Sequence, residues 1–396
     1  MLYYLLNQVK YKIQPENIKI NFTLKNENNG TPLYISKSLA KYLNEAKQQI
    51  AYNGNWDNVK KYTNPFEFIH TNIPHTSYSI SKYKPISRAF FKIVEIYNTF
   101  NLLSHKHPIK TYHLAEGPGG FIEATSYIRN NKSDKYYGMT LIEKKNNNVP
   151  GWKKSEIFLK KYPNVYIETG ATGNGDLYNP ENFKYCFNNH QNSFHIITGD
   201  GGFDFSSDFN HQEDQAFRLI FTQVMYAIAM QKYGGTFILK IYDCFLLSTN
   251  QLIYLLSTFY NNVYISKPNT SRHANSEKYI ICTDFKETDT TLISHKFMRA
   301  LTVLQNIKFD IYSISNIIDL PINLYFKNHI EEINAIFGQQ QIENIINTTK
   351  IVSFREKKSE KLNQNKNINI QKCINWCIQN NIPYNKFIQP TNIFLS

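Results

Sequence analysis

TYHLAEGPGGF, residues 111–121, sets a short apolar run before an acid, then packs three glycines and a proline into four positions. The pattern reads as the first strand of an α/β domain breaking into a tight turn at the carboxyl edge of a sheet, with a helix behind it. In open α/β sheets ligands dock where strands end and helices begin, because that crevice exposes backbone amides and a helix N-terminus. Gly117, Gly119 and Gly120 let the backbone come closer to a ligand than a Cβ would, and Pro118 stiffens the turn.

The spacing matches neither GxxxxGK[ST] nor a full GxGxxG, and a glycine turn after a strand is as often punctuation as a cofactor loop. No lysine or hydroxyl residue closes it, so a triphosphate fits poorly. S-adenosylmethionine fits better: it has no pyrophosphate and needs room only for its methionine and ribose ends.

Upstream, ISRAFFKIVEIYNTF (86–100) predicts an amphipathic helix leading into that strand, with Lys92 among apolar neighbours. Most such lysines reach solvent along their stems. Downstream, a helix is expected over 121–129, then strands at 136–142 and 165–171 and a buried strand in 194–205 that runs into Asp200-Gly201-Gly202. A helix over 212–233 should stop at Gly234-Gly235. A strand at 235–243 carries Lys240 near its end. After a helix near 251–259, NVYISKP and KYIICTDF read as an antiparallel hairpin at one edge, joined by the polar loop NTSRHANSE. The alternation predicts a mostly parallel, doubly wound sheet with helices on both faces.

Three regions follow. Residues 1–75 are an N-terminal α+β extension open to nucleic-acid contact, with strands at LYYLLNQV and IKINFTL and a helix in SKSLAKYLNEAKQQIAYNG. Residues 76–290 form the central domain. Residues 291–396 are a mainly helical extension, with helices over 291–305 and 329–347 and a polar linker or solvated helix near 353–369. The chain then ends in a short amphipathic helix with a proline stop. No internal repeat is found.

A net charge of +13 over 396 residues favours a polyanionic partner, nucleic acid ahead of membrane, although the lysines are dispersed. Cys186, Cys244, Cys282, Cys373 and Cys377 form neither a disulfide ladder nor a CxxC pair, which implies a reducing compartment. With no signal-peptide layout and no apolar run near membrane-spanning length, the expectation is a soluble intracellular protein, cytoplasmic or nuclear, with no membrane partner.

Asp200 and Lys240 fall at the carboxyl ends of adjacent expected strands, Glu277 opens the last strand, and Lys92 enters from the preceding helix. Each alone is more often a structural ion-pair partner. Together they place Lys, Asp, Lys and Glu around a nucleoside crevice. Two close lysines depress each other's pKa while carboxylates orient them, so a neutral amine can act as general base near pH 7. A ribose hydroxyl needs such help.

AEGPGGF, GDGGFDF, FILKIYD and above all KPNTSRHANSEKY resemble the FtsJ-like (RrmJ-type) ribose 2′-O-methyltransferases, in particular the mRNA cap ribose methyltransferases of eukaryotes and large DNA viruses. The resemblance covers about residues 60–290. It implies a Rossmann-like S-adenosylmethionine-dependent methyltransferase fold and a catalytic tetrad of Lys92, Asp200, Lys240 and Glu277. In that tetrad Lys240 removes the 2′-hydroxyl proton and the other three position and tune; no metal is implied. The family's cofactor residues carry over to Ser87, Ala115, Glu116, Gly117, Pro118, Gly119, Gly120, Phe121, Asp176, Leu177 and Asp200. The chain departs from the family in having Ser87 for a usual Asn, and Gly173-Asn174-Gly175-Asp176 for a usual GDGD. Glu143, after the second strand, reads as a surface residue. Ser271, Arg272 and Glu277 map to the substrate side. Asn210, His211 and Gln212 match a substrate-contacting segment and read equally well as a helix N-terminus without a ligand. A methylated guanine cap is a cation suited to aromatic stacking. Residues 64–70 with His70, together with Tyr83, are the expected cap surface, and Lys60 and Lys61 the phosphate contacts. The implied partners are capped RNA and, through the C-terminal extension, capping or transcription machinery. The rival readings are a ribosomal or transfer RNA ribose methyltransferase and a non-catalytic RNA-binding scaffold.

Overall fold

The computed structural model describes residues 1–24, 34–51, 54–143, 149–203, 211–309, 311–353 and 358–386. In chain order its elements are β1 (Leu2–Leu5), β2 (Ile18–Leu24), α1 (Lys37–Ala51), α2 (Trp56–Thr63), α3 (Ala89–Phe100), β3 (Lys110–Leu114), α4 (Gly120–Arg129) and β4 (Lys135–Met139). Then come α5 (Glu156–Lys161), β5 (Val165–Glu168), α6 (Pro180–His190), β6 (Phe194–Gly199), α7 (Gln212–Met230), β7 (Gln231–Ile241) and α8 (Leu247–Phe259). The remainder is β8 (Tyr260–Lys267), β9 (Lys278–Phe285), α9 (Thr291–Asn306), β10 (Tyr312–Ile318), α10 (Leu324–Ser353) and α11 (Lys358–Gln379).

Eight strands make one sheet in the order β1-β8-β9-β7-β6-β3-β4-β5. Strands β7, β6, β3, β4 and β5 pair in parallel, and β9, β8 and β1 add antiparallel. The central strand β3 is enclosed on both faces, with Thr111 through Leu114 fully buried. It tolerates polar residues there because they satisfy one another: the His113 ring lies 2.9 Å from Thr111 Oγ1 and 2.8 Å from Thr198 Oγ1. Burial drives the pKa of His113 down to about 3, so the ring is neutral.

One apolar core fills the face covered by α7 and α8, and a second lies under α3. The second is completed by Cys373, Ile374, Trp376 and Cys377 of α11, packed with Phe68, Ile69 and Phe91. All five cysteines are buried and reduced. Among the described residues no helix is long and apolar enough to cross a membrane.

Several expectations are corrected. Helix α7 stops at Met230, short of Gly234-Gly235, because Gln231 already belongs to β7. Gln231 Nε2 donates to Phe194 O at 2.7 Å, and Tyr260 donates to Gln231 Oε1 at 3.1 Å. The glycines instead serve an irregularity in the β6–β7 register, where Gly234 takes φ 72°. Strands β4, β5 and β6 end at Met139, Glu168 and Gly199, earlier than their apolar runs suggested. The antiparallel hairpin β8–β9 stands at one side of the parallel strands as expected, and β1 extends that side by pairing outside β8. β10 was not anticipated; it pairs antiparallel with β2 in a separate two-stranded sheet. Of the stretch 353–369, expected as a polar linker or a solvated helix, residues 358–369 take the helical alternative within α11, and 354–357 lie outside the described residues.

Candidate active site

A cleft of about 1460 Å³ opens at the carboxyl edge of the parallel strands. One wall is the glycine turn. A Cβ on Gly117 would stand 2.7 Å from Gly151 O and 2.9 Å from Thr140 Oγ1, and one on Gly175, at φ 66°, only 2.0 Å from Thr140 O. Bare backbone is therefore required on both sides of this wall. Ala115 joins the turn at φ 51°.

Of the expected cofactor residues, Ala115, Gly117, Asp176, Leu177 and Asp200 line the cleft. The others build the wall from behind. Glu116 turns inward and caps α4, its Oε1 accepting from Phe121 N at 2.7 Å and Ile122 N at 2.9 Å. Burial raises its pKa well above the ordinary value. Phe121 is buried against Tyr279. The Pro118 carbonyl, after a cis Gly117-Pro118 bond, accepts from Ser155 Oγ. Gly119 starts α4 at φ 115°. Gly120 abuts Ser87, whose buried Oγ has no partner. Asp176 sits in a turn, its Oδ1 accepting from Tyr178 N at 2.9 Å. Glu143 is exposed at the cleft rim.

The four residues expected to act together do converge. Lys92 Nζ lies 2.7 Å from Glu277 Oε1. Lys240 Nζ donates to Asp200 O at 2.8 Å and lies 3.2 Å from Asp200 Oδ1. The pairs are tied to their surroundings by hydroxyls: Ser271 donates to Glu277 Oε1 at 2.8 Å and Tyr279 to Asp200 Oδ1 at 3.1 Å. Burial lowers the pKa of Lys92, aided by Arg88 and only partly offset by Glu277. Burial pushes Glu277 up, but Lys92 and Lys240 outweigh it and hold the carboxyl far below its ordinary range. For Lys240 burial lowers the pKa, yet Asp200, Tyr242 and Glu277 together raise it above the ordinary lysine value. The mutual depression expected of two lysines thus falls on Lys92 alone. In the free protein Lys240 is an ammonium, because a carboxylate and a carbonyl both face it.

The far end of the cleft comes from outside the glycine domain. Lys47 and Ile50 of α1, Trp56, Asp57 and Lys60 of α2, and Gln341 of α10 line it beside Arg272 and Glu277. Lys60 pairs with Asp57 one turn away. Arg272 forks onto Glu67, with Nε 2.9 Å from Oε2. Gln212 lines the cleft, while His211 is exposed at the start of α7. Lys61 is exposed on α2. His70 does not face the cleft: it stands 3.7 Å from Glu67 Oε1, with a pKa lowered to about 3 by burial and by Arg88. Tyr83 spends its hydroxyl on Glu123 at 3.0 Å and stacks on Phe90. Asn210 lies outside the described residues.

Sequence reasoning missed Lys47, Trp56, Glu95 and Gln341. Each sits in an ordinary amphipathic helix or turn and no motif marks it. One residue's position relative to the SRAFFK segment could have drawn notice: Glu95 follows Lys92 by one helical turn, on the same face.

The FtsJ-like methyltransferase family model matches residues 85–285. Cap-specific mRNA (nucleoside-2′-O-)-methyltransferase 1A of Caenorhabditis briggsae is 28% identical over 237 residues, 57% of this chain and 26% of that protein. Cap-specific mRNA (nucleoside-2′-O-)-methyltransferase 1 of Mus musculus and of Homo sapiens are each 34% identical over 177 residues, 43% of this chain. The chain spans only about a fifth to a quarter of the length of these relatives. Among solved structures, a putative ribosomal RNA methyltransferase from Plasmodium falciparum shows a TM-score of 0.36 at 21% identity, covering 50% of this chain and 97% of that one. Human methyltransferase-like protein 13 with SAH gives a TM-score of 0.33 at 10% identity, over 55% of this chain and 90% of its own. The tetrad geometry and the glycine wall stand inside the matched span, which covers half of the sequence, and the chain belongs to the FtsJ-like methyltransferase family.

Proposed function

We propose that this protein is an S-adenosylmethionine-dependent methyltransferase acting on the ribose 2′-oxygen of nucleotides next to an mRNA cap. The observation that carries the reading is the convergence of Lys92, Asp200, Lys240 and Glu277 on one cleft, one of whose walls is the bare glycine backbone. The likeness to cap-specific relatives supports the choice of capped RNA. The wall at Ala115, Gly117 and Leu177 suits a nucleoside, and the unpartnered Ser87 hydroxyl stands just behind the turn. S-adenosylmethionine bound there supplies an electrophilic methyl group on a sulfonium.

The protein's task is then to align two bound partners and move one proton. Lys240 lies where strand β7 ends and faces the cleft from a site walled by Asp200 and Tyr242. It begins as an ammonium, and a second positive charge in the adjoining crevice disfavours that charge and promotes release of its proton to the water of the open cleft. The resulting amine takes the 2′-hydroxyl proton. That uptake makes Lys240 an ammonium again, which Asp200 stabilises, while Lys92 and Glu277 hold the ribose edge.

The methyltransferase unit is assigned to residues 76–290, flanked by 1–75 and 291–396. Of the C-terminal extension, the start of α10, where Leu324 and Tyr325 are 66% and 79% exposed, offers apolar surface to a capping or transcription partner.

The test is transfer of labelled methyl from S-adenosylmethionine to short RNAs bearing an N7-methylguanosine cap, an unmethylated cap or a 5′-triphosphate, with nuclease mapping and Lys240→Ala as control. Cap-dependent label on the first or second transcribed ribose, lost in the variant, is the expected result. Cap-independent label would transfer the reading to a structured-RNA enzyme.

A further inference from the structure

The segment presenting Glu277 has no regular structure between β8 and β9, yet side chains from several elements fix it along its length. From α3, Glu95 accepts from Asn269 N at 3.0 Å, Thr270 N at 3.2 Å and Thr270 Oγ1 at 3.1 Å. From β8, Lys267 donates to Glu277 O at 2.9 Å. Asn64 Oδ1 accepts from His273 N at 3.1 Å, and Glu67 takes Arg272. From α10, Gln341 Nε2 donates to Ala274 O at 2.8 Å and stands 3.5 Å from Ser276 Oγ. Gln341 is 3% exposed and lines the same cleft as Lys240 and Glu277, although it lies beyond the span that the family model matches.

Helix α10 is itself clamped, which gives the grip a fixed base. Asn344 Nδ2 donates to Thr63 O at 3.0 Å, Thr63 and Thr348 share a 2.7 Å hydroxyl contact, and Asn334 Nδ2 donates to Cys244 O at 2.8 Å. Its inner face is therefore joined to α2, to the segment after β7 and to the Glu277 loop.

We infer that Gln341 is a positioning residue for methyl transfer and that α10 is a structural wall of the RNA cleft. By holding Ala274 and Ser276, Gln341 fixes where Glu277 meets Lys92, and so where the ribose edge is presented to Lys240. The inference rests on reading the cleft as the site of ribose methyl transfer. Gln341→Ala removes the donor to the Ala274 carbonyl, and Gln341→Glu sets a carboxylate against it. A shift of about 1 Å in a near-attack geometry costs up to roughly a hundredfold in rate, so kcat should fall on the order of tenfold to a hundredfold. Affinity for S-adenosylhomocysteine should stay unchanged, since the glycine wall is elsewhere.

Thr348→Val is the control, because it removes one tie of α10 to α2 while Asn344 and Asn334 still hold the helix in place and every contact of Gln341 with the loop is kept. The three variants and the wild-type chain are compared by kcat and KM on capped RNA, by thermal midpoint, and by amide exchange at residues 269–277. The expected result is a kcat loss and faster loop exchange in both Gln341 variants, with kcat retained in Thr348→Val at a comparable thermal midpoint. Equal kcat in wild type and the Gln341 variants, or an equal loss in Thr348→Val, overturns the inference. If the wild type methylates no RNA, the proposed function fails, and loop exchange alone decides: unchanged protection in Gln341→Ala overturns the positioning role as well.

Discussion

Replacing Lys92 by methionine isolates what its pairing with Glu277 contributes. Both side chains are nearly enclosed, 9% and 13% exposed, at 2.7 Å. Removing one partner of a buried pair costs about 3–5 kcal/mol, because the other charge is left uncompensated. A chain of 396 residues has an unfolding entropy of about 0.8 kcal/mol/K, so the thermal midpoint near neutral pH should fall by roughly 4–6 °C. The pH dependence gives a sharper test. In the wild type the pKa of Glu277 is depressed: burial alone would raise it, and Lys92 and Lys240 overcome that. Its stabilising share is present above the unfolded carboxylate pKa of about 4.3 and is lost as pH falls through the folded value. Without Lys92 the burial effect gains weight and the folded pKa moves up. The variant then protonates Glu277 at a higher pH than the wild type, and its deficit narrows as pH falls from about 7.5 to about 5. Lys92→Met with Glu277→Gln removes the stranded charge and should recover most of the loss. Scanning calorimetry across that range measures all three proteins. A deficit that does not change with pH, or a double variant no more stable than the single, would refute the reasoning.

Gly175→Ala forces a Cβ to 2.0 Å from Thr140 O at φ 66°; it should cost at least about 1–3 kcal/mol in strain and weaken S-adenosylhomocysteine binding by calorimetry. Unchanged affinity would count against this wall as the nucleoside site. Asp200→Asn takes away the chief group opposing the effect of burial on Lys240, so the lysine should titrate at lower pH than in the wild type, as followed by NMR of its side chain. An unmoved titration would mean that Asp200 does not hold the ammonium. Asp243 bridges Lys47 at 2.9 Å and Lys278 at 3.0 Å, all three buried, so Asp243→Asn strands two ammonium groups. A loss of about 3–5 kcal/mol in urea unfolding near neutral pH is expected, and a loss under about 1 kcal/mol would show that the lysines escape to solvent.

The centre of the fold could be read from sequence because each of its signals is local. The run before Gly117, the amphipathic α3 and the strand ends at Asp200 and Lys240 all declare themselves within a dozen residues. Parallel pairing then brings those ends to one edge without further information. Gly234-Gly235 misled because a glycine pair after a helix and one at a strand irregularity look alike; Gln231, paired with Phe194 and Tyr260, decides the matter through contacts about 30 or more positions away. β10 stayed hidden for a similar reason, since its partner β2 lies about three quarters of the chain away. The same holds at the site. The tetrad residues sit in recognisable segments, whereas Glu95 and Gln341 work through hydrogen bonds to backbone atoms of the loop, 174 and 67 positions away for Asn269 and Ala274. Their residue types are ordinary for helices. The ionisation of Lys240 was misread because sequence shows which charges are near but not which of them lies closest.

The late position of α10 also bears on how the protein is made. During synthesis at about 5–20 residues per second, the elements that carry the tetrad emerge first, while Ala274 waits 67 residues for the helix that will hold its carbonyl. For roughly 3–13 s the nascent chain has the sheet but not the finished loop. β2 waits far longer, until β10 follows. Long-range pairings of this kind close late and slowly. The glycine wall therefore precedes the α10 wall in time, so a ribosome-bound fragment ending before α10 should take up S-adenosylhomocysteine before it can methylate RNA.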